Sequence, residues 1–394
     1  MKKIHVFVPV TLGMLTAFGP FVTDFYLPVL PEMKEYFTTS PSLVSMSLTA
    51  GMVGLAAGQI LIGPLTDKYG RKHILTFTML MFAIASVACI FAPDIFIFNA
   101  MRVLQGLAGA GGIVISKSMA TDMYSGRDLA HFMGVLAAIN GIAPVFAPIV
   151  GGTMASFASW QGVFCLMLAI GLVLMVCSMF LSETLQPEQR KTGSIAHVYG
   201  NLFRVFRNSL FSLSVFAMMA SFFTFFAYIA SSPFILQNVY GMSPFMFSLC
   251  FSTNAVMIAV GSAIGSAIRR QNRALANGAA IMMAASVLVA ACLAMRSSIY
   301  LLMASYMCLM VGFGIMQPVT TAIALDSERN NAGAASAIFG AACFVGGSLS
   351  SPLVSLGEIT VTSGFIMIAG GVVCAVVTAL LCIRISKTRI ATKN

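Results

Sequence analysis

Residues 63–72 read Gly-Pro-Leu-Thr-Asp-Lys-Tyr-Gly-Arg-Lys and join two long apolar stretches, 42–64 and 73–92. An apolar helix of about 20 residues spans the hydrocarbon core of a bilayer. In such a loop Gly63 allows close packing at a helix end, Asp67 can cap a neighbouring helix N-terminus, and Gly70 can reverse the chain. The segment therefore predicts a short polar turn between two membrane spans.

The composition of the whole chain agrees with this interpretation. Of its 394 residues, 59% are hydrophobic and only 9% are charged, whereas soluble domains carry about 25% charged residues. A water-soluble fold of this size could not bury so much apolar surface. The sequence excludes a soluble globular protein and predicts an all-α integral membrane protein.

The apolar windows form two sets of six, and we predict twelve transmembrane helices. They lie at roughly 5–30, 42–64, 73–92, 95–118, 129–153 and 159–181, then 208–232, 244–267, 274–295, 298–322, 331–355 and 361–383. The longest polar stretch lies between the sets. It predicts a six-helix half over 1–181, a cytoplasmic linker over 182–207 and a second half over 208–394.

The basic residues orient the spans. With the N-terminus in the cytoplasm, 19 of the 22 Lys and Arg residues lie on the cytoplasmic side, and only Lys34 and Arg296 lie outside. By the positive-inside rule, both termini are cytoplasmic. Because the net charge of +10 is divided among seven short segments, it reflects topology and not a nucleic-acid-binding face.

Glycine spacing indicates that the two halves are related. Four glycines of the first half recur 206 residues later in corresponding spans of the second half. They are Gly106, Gly134, Gly141 and Gly151, followed by Gly312, Gly340, Gly347 and Gly357. This common offset favours an internal duplication.

Two charged residues lie well inside predicted spans, Asp24 in the first and Arg102 in the fourth. A charge in hydrocarbon costs at least about 2.5–3.5 kcal/mol, so such residues usually line a cavity or find partners. Both fall in the outer half, which suggests a shared polar site. Asp24 is either one member of a structural ion pair or a proton carrier. Arg102 either takes part in coupling or ties two spans together, in a network that Gln105 can extend.

The other embedded polar groups are candidates for lining a substrate cavity. Each could equally be an interhelical hydrogen-bond partner. With Gln105, the cavity candidates are Tyr26, Asn140, Tyr228, Asn254 and Gln317.

Five segments resemble a known family. The loop 63–72 is similar to the signature loop of the major facilitator superfamily, and Arg102-x-x-Gln105-Gly106 resembles the span-four motif of its proton-driven members. Span five is similar to the antiporter motif of drug–proton exporters with twelve spans. Residues 23–31 (Thr-Asp-Phe-Tyr-Leu-Pro-Val-Leu-Pro), together with 332–337, resemble the Bcr/CflA branch of multidrug exporters.

The resemblance implies two six-helix halves related by a pseudo-two-fold axis, with a central cavity between them. It also implies that the loop cluster gates the transport cycle. Asp122, which lies just past span four, is placed to pair with Arg71. The gating residues are Gly63, Asp67, Gly70, Arg71, Lys72 and Asp122. The antiporter-motif residues are Gly134, Gly141, Pro144, Pro148 and Gly151, whose glycines permit close helix approach. The motif departs from the family pattern at Ala143 and at Pro148.

The activity implied is proton-coupled antiport that exports drugs or small amphiphilic metabolites from a bacterial cell across its inner membrane. The alternative is proton-coupled uptake or facilitated transport of a small nutrient. A membrane enzyme or sensor is a further rival, but no nucleophile–base pair or metal cluster is visible. We therefore expect no enzyme activity, no catalytic residue, no metal and no cofactor. The expected partners are protons, a small-molecule substrate and lipid, with no nucleic acid, and the protein is expected to be a monomer.

Overall fold

The computed structural model describes residues 7–190, 203–354 and 356–391, and they are helical almost throughout. The first half contains α1 (Phe7–Thr16), α2 (Phe18–Asp24), α3 (Leu30–Tyr36), α4 (Pro41–Tyr69), α5 (Arg71–Ile90), α6 (Ile95–Met123), α7 (Gly126–Ala155) and α8 (Trp160–Phe180). The second half contains α9 (Ser209–Phe234), α10 (Pro244–Ala267), α11 (Gln271–Ala294), α12 (Ile299–Ser327), α13 (Ala332–Leu353) and α14 (Ile359–Ala391). Short 3-10 turns occupy Leu27–Val29, Pro187–Gln189, Phe203–Arg207 and Arg329–Asn331, and a π-helical turn covers Ile235–Val239.

The predicted all-α membrane architecture is confirmed. Eleven helices of the described residues are long and apolar enough to cross a membrane, and a bent pair at the N-terminus supplies a twelfth span if it crosses as one unit. The helices α4 to α14 follow the predicted apolar windows closely, and most extend beyond them at one or both ends.

The first span differs from the prediction of one continuous helix over 5–30. It is broken after Thr16, and the segments Phe7–Thr16 and Phe18–Tyr36 meet at 42°. Proline explains the breaks, because its ring clashes with the carbonyl four residues earlier and it has no N–H to donate. Pro20, Pro28 and Pro31 each lie in the first turn of a new helical segment, where proline is tolerated.

Contacts divide the chain into two compact units. The first comprises Met1–Thr39 and Ala50–Gly200, and the second comprises Ser40–Thr49 and Asn201–Asn394. The start of α4 belongs to the second unit, where Ser351 Oγ donates to the Ser45 carbonyl at 2.8 Å. Most of the predicted linker, residues 191–202, lies outside the described residues, so the linker bounds stay a prediction.

In the first unit, α5 packs against α6 and α8, and the broken first span packs against α6 and α7. An aromatic cluster holds the end of this span. Trp160 contacts the rings of Phe37, Phe98 and Phe164, and its backbone N–H donates to Glu32 Oε1 at 3.0 Å. The segment that follows α2 is therefore fixed against the start of α8. In the second unit, α12 packs against α10 and α11, and α9 packs against α13 and α14.

Only one of three motif glycines on α7 allows the close helix approach that the sequence suggested. A Cβ built on Gly151 would lie 1.8 Å from the Phe25 carbonyl oxygen. Built on Gly134 or Gly141, it would meet nothing within 4 Å in the part of the chain that the structure describes. Those two glycines lie on an exposed face of α7, where no neighbour requires a missing side chain.

Gly151→Ala should therefore destabilise the protein by on the order of 1–3 kcal/mol, because the added methyl group overlaps backbone and cannot be relieved by a side-chain rotation. Gly141→Ala on the same helix is the matched control and should be neutral or slightly stabilising. Thermal melting of the purified variants in detergent measures both effects. Equal melting temperatures for the two variants would contradict this packing.

Candidate functional site

Asp24 ends α2 and is buried, with 5% of its surface exposed. Its Oδ1 lies 2.7 Å from Thr23 Oγ1, which can donate to it. The same hydroxyl lies 3.0 Å from the Gly19 carbonyl oxygen. Among the described residues, no Lys, Arg or His forms an ion pair with this carboxyl group. A hydroxyl and not a cation is thus its side-chain partner.

Arg102 on α6 is fully buried and is bonded elsewhere. Its guanidinium donates to the Val22 carbonyl and to Gln105 Oε1. It also lies over the Tyr26 ring, with Cζ 4.4 Å from the ring centroid, a favourable cation–π distance. The structure brings together Arg102, Gln105 and Tyr26 beside the end of α2, but it does not pair Arg102 with Asp24.

Gln105 extends this network into α5 and α8. Its Nε2 donates to Ser86 Oγ at 2.7 Å and contacts Met167 Sδ at 3.7 Å. Ser86 in turn donates to the Phe82 carbonyl. Sequence reasoning missed Ser86 and Met167, because a lone serine or methionine in an apolar span carries no distinguishing signal. These contacts hold the Arg102 guanidinium beside the Val22 carbonyl.

The remaining cavity candidates fall in different environments. On the second unit, Asn254 Nδ2 donates to Tyr228 Oη at 2.8 Å, and both side chains are buried. Gln317 is half-buried, and Asn140 is exposed on α7. Tyr228 and Asn254 therefore form one pair in the second unit, whereas Tyr26 and Gln105 belong to the arginine network of the first.

A second charged cluster surrounds Arg71 at the start of α5. Its guanidinium contacts Asp67 at 2.6 Å and Asp122 at 3.1 Å, and it donates to Thr66 Oγ1 at 2.7 Å. Thr184 Oγ1 also donates to Asp122, at 2.9 Å. The contact expected between Arg71 and Asp122 is present, and it ties the start of α5 to the end of α6.

Glu183, which follows α8, caps the N-terminus of α5. It accepts from the backbone N–H groups of Arg71 at 2.9 Å and Lys72 at 3.2 Å. Asp67, which the sequence suggested as a cap for a neighbouring helix, pairs with Arg71. Gly70 makes the arrangement possible, because its φ of +95° is left-handed and a Cβ there would lie 2.5 Å from Glu183 Oε2. A Cβ on Gly63 would be only 3.9 Å from Val114, an ordinary contact.

Hydrogen bonding to Glu183 changes its ionisation. Burial on its own raises the pKa of Glu183, but backbone N–H donors from Leu185, Arg71, Lys72 and Thr184 outweigh it, and the pKa lies below its ordinary value. A carboxylate at a helix N-terminus is stabilised in the same direction by the helix dipole. The cap is therefore ionised at neutral pH.

No group of three or more His, Cys, Asp or Glu side chains is placed to hold a metal ion in the ranges that the structure covers. The chemistry available at the buried site of the first unit is proton transfer at one carboxyl group. The chemistry of the Arg71 cluster is charge pairing between helix ends.

Comparison with known proteins supports a transporter fold. Residues 12–351 match the family model of the Major Facilitator Superfamily. The chain belongs to this superfamily and is a transporter, not an enzyme.

Two relatives and one solved structure illustrate the similarity. An uncharacterized MFS-type transporter of Bacillus subtilis, YdgK, is 33% identical over 96% of this chain and 95% of its own. A bicyclomycin resistance protein homolog of Haemophilus influenzae is 28% identical over 67% of each chain. The inward-facing structure of a bacterial homolog of the human lysosomal transporter Spinster matches with a TM-score of 0.76, at 15% identity over 97% of each chain.

The Glu183 cap gives a stability prediction with a defined pH dependence. Because the folded-state pKa is lowered, the stabilisation is fully present above the ordinary carboxyl pKa and is lost as the pH falls through the folded-state value. Glu183→Gln should cost about 1 kcal/mol at pH 7, the usual worth of a cap. Near pH 3 the difference from the parent should shrink.

The control is Glu188→Gln, which changes an exposed glutamate five residues further on. Thermal melting at both pH values measures the effect. The assignment of Glu183 as the cap would be wrong if both variants lost the same stability at neutral pH.

Proposed function

We propose that this transporter is a proton-coupled antiporter that exports amphiphilic drugs or small metabolites. The observation that carries the proposal is the buried carboxyl group of Asp24, whose side-chain partner is the Thr23 hydroxyl and not a cation. A neutral hydroxyl can serve an ionised or a protonated carboxyl group, since it can both donate and accept. Asp24 can therefore change protonation without breaking a buried ion pair.

The position of Asp24 supports an exchange with substrate. It lies at the end of α2, shortly before the 3-10 turn Leu27–Val29, and buried ionisable residues in membrane spans usually mark ion or substrate pathways. In the proposed cycle, Asp24 takes a proton from the outer side and releases it towards the cytoplasm. Substrate binding favours the release.

Arg102 has a supporting role in this scheme. Its charge is held at the Val22 carbonyl, two residues before Asp24, and its fork of donors is shared with Gln105. We propose that it fixes the broken end of the first span and sets the electrostatic field in which Asp24 titrates. The Tyr26 ring stacks on the Arg102 guanidinium and is part of the same network.

The substrate class draws support from a relative. The Haemophilus influenzae protein is named as a bicyclomycin resistance protein homolog, and resistance by a transporter of this superfamily is naturally achieved by efflux. The driving force suffices for export, because one proton crossing 100 mV supplies about 2.3 kcal/mol. We further propose that both termini are cytoplasmic and that the membrane is the bacterial inner membrane, because basic residues concentrate on that side.

We assign the cluster of Asp67, Arg71, Lys72 and Asp122 to gating and not to substrate contact. Its ion pairs join the end of α4, the start of α5 and the end of α6. Such pairs can form and break as helices shift, and they lie apart in sequence from the Asp24 and Arg102 motifs.

The proton-carrier role predicts the behaviour of Asp24→Asn. In proteoliposomes with an imposed pH gradient, the parent should accumulate bicyclomycin against its concentration gradient, and the variant should only equilibrate it. Asparagine preserves size and hydrogen bonding but cannot carry a proton. Flux of substrate together with proton flux measures the coupling.

Asp128→Asn, which changes an exposed aspartate at the start of α7, is the matched control and should behave like the parent. Uphill accumulation by Asp24→Asn equal to that of the parent would rule out Asp24 as the carrier. Substrate movement in the same direction as the protons would favour the nutrient-uptake alternative.

A further inference from the structure

The second unit holds a cluster of buried polar side chains with unused hydrogen-bonding capacity. Asn254 Oδ1, Tyr306 Oη and Ser232 Oγ have no hydrogen-bond partner among the described residues. All three side chains are at most 1% exposed. Leaving such groups buried and unpaired costs free energy, so each calls for a physical reason.

These side chains converge on Tyr228 of α9. Asn254 of α10 donates to Tyr228 Oη at 2.8 Å, and the ring of Tyr306, on α12, lies 4.7 Å from that of Tyr228 at a 62° tilt. Phe251 stacks on the other side at 5.6 Å. Ser232 lies one turn after Tyr228 and therefore on the same face of α9. Three helices thus bring one amide oxygen and hydroxyl groups towards a single aromatic centre.

The neighbouring serine shows that the free hydroxyl of Ser232 is not a general property of this helix. Ser231 Oγ donates to the Ala227 carbonyl at 2.7 Å, in the preceding turn, as Ser221, Ser286 and Ser305 also do with the residue four positions earlier. Ser232 makes no such bond. Its hydroxyl therefore stays available for another partner.

The helix that covers the cluster is irregular at this point. Pro233 lies inside α9 and cannot donate to the carbonyl of Ile229. A π-helical turn follows at Ile235–Val239, and such turns occur frequently at functional sites. A proline and a π-turn within seven residues weaken the helix and allow its end to move away from Tyr228.

We infer that Tyr228, Ser232, Asn254 and Tyr306 form an uncharged recognition subsite for the amide or hydroxyl groups of a neutral substrate. The free amide oxygen accepts a hydrogen bond from the ligand, and the two hydroxyl groups donate or accept. Aromatic rings on either side suit the apolar part of an amphiphile. The inference rests on the proposed drug-transport function and specifies its substrate class.

The subsite contains no charge of its own. The described spans α9, α10 and α12 carry no Asp, Glu, Lys, Arg or His beside it. Discrimination should therefore depend on hydrogen-bond donors in the ligand and not on its charge.

The test compares two probes in equilibrium binding to the purified protein, without any gradient. Bicyclomycin leads a panel of uncharged compounds with amide N–H and hydroxyl groups, and tetraphenylphosphonium has no donor. Asn254→Leu and Tyr306→Phe should each weaken binding of the donor-bearing probe about five- to tenfold, as the loss of one hydrogen bond predicts. Binding of tetraphenylphosphonium should stay within about twofold.

Tyr300→Phe makes the same chemical change on the same helix at a residue that is 84% exposed, and it should alter neither affinity. Tyr306→Phe should melt at the same or a higher temperature than the parent, because it removes a buried hydroxyl without a partner. A lower melting temperature would reveal a structural hydrogen bond and overturn the proposal.

Equal losses for both probes, no loss for either, or failure of the parent to bind any donor-bearing compound would also overturn it. Asp24→Asn should keep the same selectivity in this assay. A failure of proton coupling and a failure of the subsite are therefore distinguishable.

Discussion

The bond from the Arg102 guanidinium to the Val22 carbonyl is the interaction on which the proposed mechanism depends. A buried guanidinium attracts any carboxylate nearby, and removing one partner of such a pair leaves a charge that is costly to bury. Here the arginine is bound by a backbone carbonyl, an amide oxygen and an aromatic ring. The side-chain partner of Asp24 is therefore the Thr23 hydroxyl. Its protonation can change without the loss of an ion pair.

The two units use a related arrangement with different chemistry. In the first, Tyr26 at the end of the broken span is covered by Arg102 of the fourth span. In the second, Tyr228 of the first long helix is covered by Tyr306 of the fourth. We propose that the first half serves the proton and the second serves the polar groups of the substrate.

Much of this architecture could be predicted from the sequence. Hydropathy located the spans because every backbone group in a membrane must be satisfied within a helix, and the cost of buried charge singled out Asp24 and Arg102. The break in the first span could not be placed, since prolines are common in membrane helices and only packing decides which of them interrupts one. The partners of Arg102 could not be predicted either, because every residue has a backbone carbonyl and the sequence does not indicate which one accepts the hydrogen bond. Glu183 was assigned to a linker because its capping contacts are more than 100 residues distant.

The gating motif illustrates the same limit. Arg71 and Asp122 were paired from their positions at the ends of neighbouring spans, and Asp67, which was expected to cap a helix, pairs with Arg71. The helix end is satisfied by Glu183, and Asp67 joins Asp122 on the arginine. Local spacing identifies which charges meet at a helix boundary, but the geometry of three helix ends decides which of them caps and which of them pairs.

Substrate-induced proton release tests the central claim most directly. In a weakly buffered solution of the purified parent near neutral pH, addition of a bound substrate should release up to about one proton per protein, since one carboxyl group titrates in the scheme. The Asp24→Asn variant should bind the substrate and release none. Release of the same amount by the variant would show that another group carries the proton.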